Sequence, residues 1–318
     1  INIGQNNPYI TIKDIEIRNF FIGILVDTGS DYCVVDSCLI KTCANACIFS
    51  RYNDNFSLYN SILLDGDFGL VAQNIKNISI VNNTFFTNNK FATNRSDYQS
   101  CILISLADDF GNGLNDTGTA WIRNNIFYNI SQYAAIFFKD DLVRNAINSD
   151  YNNYFTNSDK LIYVIEQGLI HESTQYDSLW LFRQEFNIEN NSTSVNPEFI
   201  RESGNSKNYY ELDLSLLKFS PIKRLGQQIT SSPESIPAWI DLSYVYSDFY
   251  GYPRPVSNNV SIGAIEISES IDLLDNPNSY LHEVATDSSV RSLEEALAGA
   301  DVFCGLSVGG LLKPHMLK

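Results

Sequence analysis

The chain has 318 residues, 44% of them apolar, a net charge of −16 and a pI near 4.5. Such an acidic chain is poorly suited to nucleic acid, and it would hold a polyanionic glycan only through a bridging cation or local Arg and Lys. No apolar run exceeds strand length, so no transmembrane helix is expected, and the length suits one elongated domain with a small extra unit.

The chain starts at Ile1 rather than Met, which reads as a mature product or an internal fragment. From there a repeat of about 23 residues sets in. Ile12, Val35, Leu58 and Val81 form one column; Ile17, Ile40, Leu63 and Phe86 form another. Gly23, Ala46 and Gly69 make a small column, Ile24, Cys47 and Leu70 an apolar one, and Asp14, Ser37, Asn60 and Asn83 a polar, turn-like one. A fixed period with position-specific chemistry means that successive laps of the chain stack, so that like residues lie above like. Leucine-rich repeats share the length, but they spend half of each repeat on a helix or 3₁₀ segment. Here that half reads GILVDTGSDY, ACIFSRYNDN and GLVAQNIKN, short strand-like runs closed by Gly, Asp, Asn and Ser. The expected class is all-β: a right-handed parallel β-helix, one coil per repeat, with a short α/β appendage at the C-terminus.

The pairs Asn82–Asn83, Asn88–Asn89, Asn124–Asn125 and Asn152–Asn153 fall where strands should bend. Asn tolerates left-handed turns, and stacked amides can bond along a ladder. Lys90 to Thr117 reads as an insertion that breaks the period, with one strand-like run at Cys101–Leu106. The coil resumes at Trp121–Tyr128 and Ala134–Phe138, and a looser coil covers Tyr151–Phe155 and Leu161–Ile165. Insertions of this kind often carry a binding site.

Three clusters are candidates for chemistry. Lys139 and Arg144, with Asp140 and Asp141 between them, could supply the cation and base that β-elimination on a uronic acid needs, calcium sitting on the aspartates. An ordinary charged corner gives the same text. Asp108 and Asp109 open an oxygen-rich, Gly-punctuated run that could also wrap calcium, although it is not an EF-hand loop. Asp65 and Asp67 could act as a glycosidase carboxylate pair, or simply as turn residues. His171 is the one histidine before the tail, and a surface or capping role is its default. Tyr128, Tyr133, Phe137 and Phe138 could stack on sugars, though in a solenoid they more often stack on each other. Cys33, Cys38, Cys43 and Cys47 lack zinc-ligand spacing and read as buried thiols; a disulfide among them is allowed but not assignable.

After Glu266 the texture changes. Ser292 and Glu295 form a capping box, Leu293, Ala296 and Leu297 an apolar helix stripe, and Ala300–Cys304 a strand, with Lys313 opening a second helix. That is an α/β unit rather than a coil.

Two resemblances accompany these readings. Residues 1–269 resemble the pectin-lyase-like parallel β-helix repeat proteins. The likeness is carried by SLWLFRQEFNIENNSTSVNPEFI (178–200), YYELDLSLLKFSPIKRLGQ (209–227) and DFYGYPRPVSNNVSIGAIE (248–266), in that order. It implies a secreted or cell-surface, monomeric protein that binds a polysaccharide or surface glycan and could cleave it. Residues 270–318 resemble a piece of the NAD(P)-binding domain of malic enzymes, through LEEALAGADVFCGLSVGGLLKPHML. In that family the loop holding Gly305 and Ser307 borders the dinucleotide. The Gly-x-Gly-x-x-Gly phosphate motif is missing, as are counterparts of the catalytic Tyr and Lys, so NAD(P) binding and malic activity are not expected.

Overall fold

A computed structural model describes residues 1–87, 100–105, 119–130, 134–139, 146–165, 173–201, 213–217, 219–229, 236–237, 239–256 and 259–266. The chain divides into Ile1–Ser270 and Ile271–Lys318, and the described residues all belong to the first unit. The expected α/β appendage, with Gly305 and Ser307, therefore lies outside them.

The first unit is a parallel β-solenoid with three faces. Sheet A has eight strands: Asn2–Ile3, Ile22–Val26, Ala46–Asn53, Phe68–Ile75, Ser100–Ser105, Ile136–Lys139, Ile162–Ile165 and Ser173–Tyr176. Sheet B has six, from Thr11–Lys13 through Val34–Asp36, Phe56–Tyr59, Asn77–Val81 and Thr119–Arg123 to Ile147–Asp150. Sheet C also has six, from Glu16–Arg18 through Leu39–Lys41, Ile62–Leu64, Thr84–Thr87 and Ile126–Asn129 to Asn153–Thr156. Each lap visits the three sheets in turn, and every pairing along them is parallel except the last of sheet A, where Ser173–Tyr176 runs antiparallel to Ile162–Ile165.

Val35 sits between Ile12 and Leu58, and Ile40 between Ile17 and Leu63, as the repeat requires. Further on, the fixed spacing fails by one residue. Leu58 registers on Ile80 rather than Val81, and Leu63 on Phe85 rather than Phe86. Ile24 registers on Ile48, not Cys47, so the small column is also misaligned: Ala46 lies opposite Ile22. Gly23 and Gly69 instead lie where a Cβ would come within 2.6 Å of the backbone oxygens of Cys47 and Cys101. The reason is that registry is held by strand pairing, while the corners absorb a residue more or less. They do so through left-handed backbone positions, such as Asp14, Ser37, Asn60, Asn82, Asn124 and Tyr151 at the corner between sheets B and C.

The same principle corrects the supposed interruption. Ser100–Ser105 is a full member of sheet A, paired with Phe68–Gln73 on one side and Ile136–Phe138 on the other. Lys90 to Thr117 is thus not one excursion from the solenoid. Its described part, Ser100–Ser105, is a regular strand of the coil.

From Ser37 to Tyr151, the residue after each left-handed position between sheets B and C belongs to a buried ladder that ends on Ser192. The Cys38 N–H donates to Ser61 Oγ (3.1 Å), Ser61 to Asn83 Oδ1 (2.8 Å), Asn83 to Asn125 Oδ1 (2.9 Å), Asn125 to Asn152 Oδ1 (2.9 Å) and Asn152 to Ser192 Oγ (2.8 Å). The sequence separations of these bonds are 23, 22, 42, 27 and 40 residues, yet the chain of bonds is unbroken. Beside it, Phe85, Phe127 and Tyr154 stack inside the coil at 5.1 Å. The helix Leu179–Phe186 packs Leu179 and Phe182 onto this core, with Phe182 6.3 Å from Phe138.

The five described cysteines, Cys33, Cys38, Cys43, Cys47 and Cys101, are buried free thiols.

Candidate functional site

The three outer faces differ in what covers them. On sheet C the outward residues Ile62, Leu64, Phe86, Ile126 and Tyr128 are sealed by Phe199, Leu214, Leu216, Ile222, Ile262 and Ala264. On sheet B, Tyr59, Val81 and Trp121 are sealed by Ile229, Ile240 and Val245. The C-terminal part of the solenoid unit therefore folds back over two faces. It is pinned there by polar contacts: Asn124 exchanges hydrogen bonds with the backbone of Gln227, Asn60 donates to Tyr244 O, and Ala264 N–H donates to Thr84 Oγ1. Among the described residues no such cover forms on sheet A.

Strand alternation fixes what sheet A presents. Ile24, Ile48, Leu70, Ile102, Ile136 and Ile162 form one inward column, and Val26, Ser50, Ala72, Ile104, Phe138 and Val164 a second. Between them on the outer side runs Leu25, Phe49, Val71, Leu103 and Tyr163; Val71 is buried and the rest are partly exposed. Phe137 holds the register position between Leu103 and Tyr163. Beside this apolar row runs a polar one. Arg51 clamps Asp27 with two bonds, Nε to Oδ1 at 2.9 Å and a terminal nitrogen to Oδ2 at 3.2 Å. Gln73 registers on Arg51, and Ser105 on Gln73.

The Arg51 hydrogen bonds, helped by the Thr28 N–H, pull the Asp27 carboxyl down to about 2. Such a carboxylate stays ionised at neutral pH and is unsuited to act as a general acid. The row therefore offers contact surface, an amide and a fixed ion pair.

Lys139 follows Phe138, which registers on Ile104, so it extends the Asp27–Arg51–Gln73–Ser105 row at the backbone level and pairs with Ile165. Arg144, Asp140, Asp141, Asp108, Asp109, His171 and Tyr133 lie outside the described residues. Among the described residues no group of three or more His, Cys, Asp or Glu side chains is placed to hold a metal ion. Asp65 and Asp67 are buried corner residues. Asp65 is left-handed (φ 48°) and donates its N–H to Phe86 O, and Asp67 O accepts from Ser100, so the backbone of both serves the turn. Tyr128 stacks on Phe86 and Phe155 under the sheet C cover, and Phe138 is interior.

The outer row of sheet A escaped the sequence reading. Its signal is the alternation of Leu25, Phe49, Val71 and Leu103 with the core column Ile24, Ile48, Leu70 and Ile102. Comparison with protein families, curated proteins and solved structures gave no match.

Proposed function

We propose that this solenoid binds a polysaccharide along the outer face of sheet A, in a secreted or cell-surface setting. One observation carries the reading: an apolar row, Leu25–Phe49–Val71–Leu103–Tyr163, runs along the coil axis on the face without a described cover, with hydrogen-bonding groups beside it. Stacked strands lie about 4.8 Å apart, so the row repeats the same contact along a line, which suits an extended polymer of repeating units. The resemblance to pectin-lyase-like β-helix proteins supports the same reading. Cleavage is a further step that needs Lys139, Arg144 and a calcium ion on the neighbouring aspartates.

Affinity electrophoresis through gels of neutral and uronate polysaccharides, with calcium or with chelator, tests this. Retardation that Phe49→Ala and Leu103→Ala weaken several-fold at unchanged melting temperature is the expected result. Equal mobility in every gel would remove the proposal. Release of unsaturated, ultraviolet-absorbing ends from a uronate polymer would select cleavage over binding alone.

A non-catalytic structural or adhesive solenoid is the second reading, favoured by the unbroken ladder from Cys38 to Ser192, which stiffens the coil along its length. The malic-type oxidoreductase reading of the tail predicts NAD(P)⁺ reduction with malate, and none is expected.

A further inference from the structure

A tight turn in the sheet C cover carries an aromatic tip. Ser247 bridges Pro253, and between them the chain reverses through Asp248–Phe249–Tyr250–Gly251–Tyr252. Turn tips ordinarily take Gly, Asn, Asp or Ser; here three of the five residues are aromatic. Phe249 packs against the apolar cluster of the cover, and its N–H donates to Ala264 O (2.8 Å). Tyr250 and Tyr252 face solvent, 51% and 53% exposed.

The tip is held from beneath. Asp248 is fully buried, and its Oδ1 accepts from the N–H groups of Tyr250 (3.0 Å) and Tyr252 (2.9 Å). Its Oδ2 accepts from the Glu266 N–H (3.1 Å). The Asp248 N–H donates to Tyr252 O (2.8 Å), and Asp248 O accepts from the Gly251 N–H (3.0 Å). Tyr250 stands edge-on to Phe249 with centroids 5.1 Å apart, and Tyr252 lies 6.4 Å from Tyr250, inclined by 56°. Turn and rings are therefore set before a ligand arrives, which cuts the ordering cost of binding.

Two features select the ligand. A guest between the two tyrosines would need roughly 7–8 Å, twice the carbon–carbon contact distance. At 6.4 Å the rings instead form one bent surface, on which a single ring-sized group can lie. The charged groups of the turn face inward: Asp248 is fully buried, and Arg254 and Glu266 bond each other with side chains 2% and 5% exposed. The surface is thus apolar, with phenol hydroxyls at its edges and no charge from the turn itself.

We propose that Tyr250 and Tyr252 form a binding platform for one neutral pyranose ring of a glycan. The C–H face of the sugar lies on the aromatic rings, and the phenol hydroxyls bond its hydroxyls. A uronate fits less well, because the turn offers no exposed cation to its carboxylate. The platform belongs to the sheet C cover and does not rest on the sheet A reading.

Saturation-transfer NMR on the full chain tests it, with cellohexaose, maltohexaose, xylohexaose and mannohexaose as neutral probes and a galacturonate hexamer as the charged one. The measurement is made on the parent and on a Phe49→Ala, Leu103→Ala background, which takes away the sheet A row. In that background transfer to at least one neutral hexaose should persist and exceed transfer to the galacturonate. Adding Tyr250→Ala or Tyr252→Ala should weaken it several-fold, and adding both should abolish it. Melting temperature should stay unchanged, because the backbone N–H groups that Asp248 holds remain. Tyr252→Phe should retain most of the signal. No transfer in the background, or transfer that survives loss of both tyrosines, overturns the proposal. So does concentration-dependent sedimentation that the double tyrosine variant abolishes, which would assign the platform to a second copy of the chain. Transfer seen in the parent but absent from the background would overturn the platform and leave the sheet A reading standing, so the two fail separately.

Discussion

Asn83 and Asn125 are 42 residues apart in sequence and share two bonds: the Asn83 N–H (2.9 Å) and its Nδ2 (3.0 Å) both donate to Asn125 Oδ1. The Asn125 amide in turn donates to Ile80 O (2.8 Å) and to Asn152 Oδ1 (3.0 Å). One buried side chain thereby satisfies two backbone groups of the preceding lap and bonds a side chain of the next.

Asn125→Ala should therefore be severe. It strands the Asn83 N–H and Ile80 O away from water, at roughly 1–3 kcal/mol for each unsatisfied buried group, or roughly 2–6 kcal/mol in all. Urea denaturation followed by tryptophan fluorescence measures the loss. A midpoint equal to that of the parent would mean that the ladder adds no stability.

Gly69 and Gly251 should respond differently to alanine, for different reasons. A Cβ on Gly69 would lie 2.6 Å from both Cys101 O and Phe85 Cδ1, so Gly69→Ala should cost about 1–3 kcal/mol through overpacking. Gly251 has open space but a φ of +81°, so Gly251→Ala should cost only about 1–2 kcal/mol of backbone strain. Gly251→Asn should recover part of that loss, whereas Gly69→Asn should be worse than Gly69→Ala; thermal melts of the four variants decide it.

Arg254 and Glu266 form a buried ion pair at 3.1 Å, with side chains 2% and 5% exposed. Arg254 also donates to Gly263 O and Ala264 O, and Glu266 accepts from Ser261, so the pair ties the C-terminal cover together. Glu266→Gln removes the carboxylate that Arg254 bonds and leaves only Asp248 to offset the buried cation, so it should cost up to roughly 3–5 kcal/mol. The double replacement Arg254→Met with Glu266→Gln should cost less than the sum of its two parts. Strict additivity in denaturant titrations would show that the pair is not coupled.

Glu189 is fully buried among Ser149, Ser192, Tyr154 and Asn152, with Tyr154 donating at 2.6 Å. Arg123 lies near enough to interact with it, but donates to Asn148, while Arg183 bonds only its backbone oxygen. Burial raises its carboxyl above the ordinary 4.5. The folded state thus prefers the protonated form: the stabilisation is complete below pH 4.5 and fades as pH rises through the raised value. The parent should lose stability relative to Glu189→Gln as pH climbs above 4.5, seen as converging or crossing melting temperatures across a pH series.

Asp27 has the opposite sign. Its carboxyl is lowered from 3.8 to about 2, chiefly by hydrogen bonding from Arg51. Its contribution is complete above pH 3.8 and is lost as pH falls through about 2. Arg51 is 41% exposed, so solvent screens the pair and the effect is small. Arg51→Gln should flatten the acid limb of the stability curve in that window and leave neutral-pH stability almost unchanged.

The solenoid was legible because Val35 must stack between Ile12 and Leu58 whatever the corners do. The ladder was half legible: paired asparagines marked the corners, but alignment by a fixed period put Asn83 in the turn column. There Asn82 takes the left-handed position (φ 58°), and Asn83 is the ladder residue. Periodicity counts residues, while registry is set by backbone hydrogen bonds between strands, so a shortened corner shifts every later column by one. The candidate face was less legible still. Leu25 and Phe49 are apolar like their interior neighbours Ile24 and Ile48, and composition cannot tell a core column from an outward one.

The sequence by itself determined that this chain coils with a lap of about two dozen residues, because like side chains at a fixed interval are satisfied together only by stacking. Tertiary structure decided which faces are covered. The described residues between Phe199 and Ile265 return over sheets B and C through contacts such as Thr84 with Ala264 and Asn124 with Gln227, more than 100 residues apart, which no local pattern encodes.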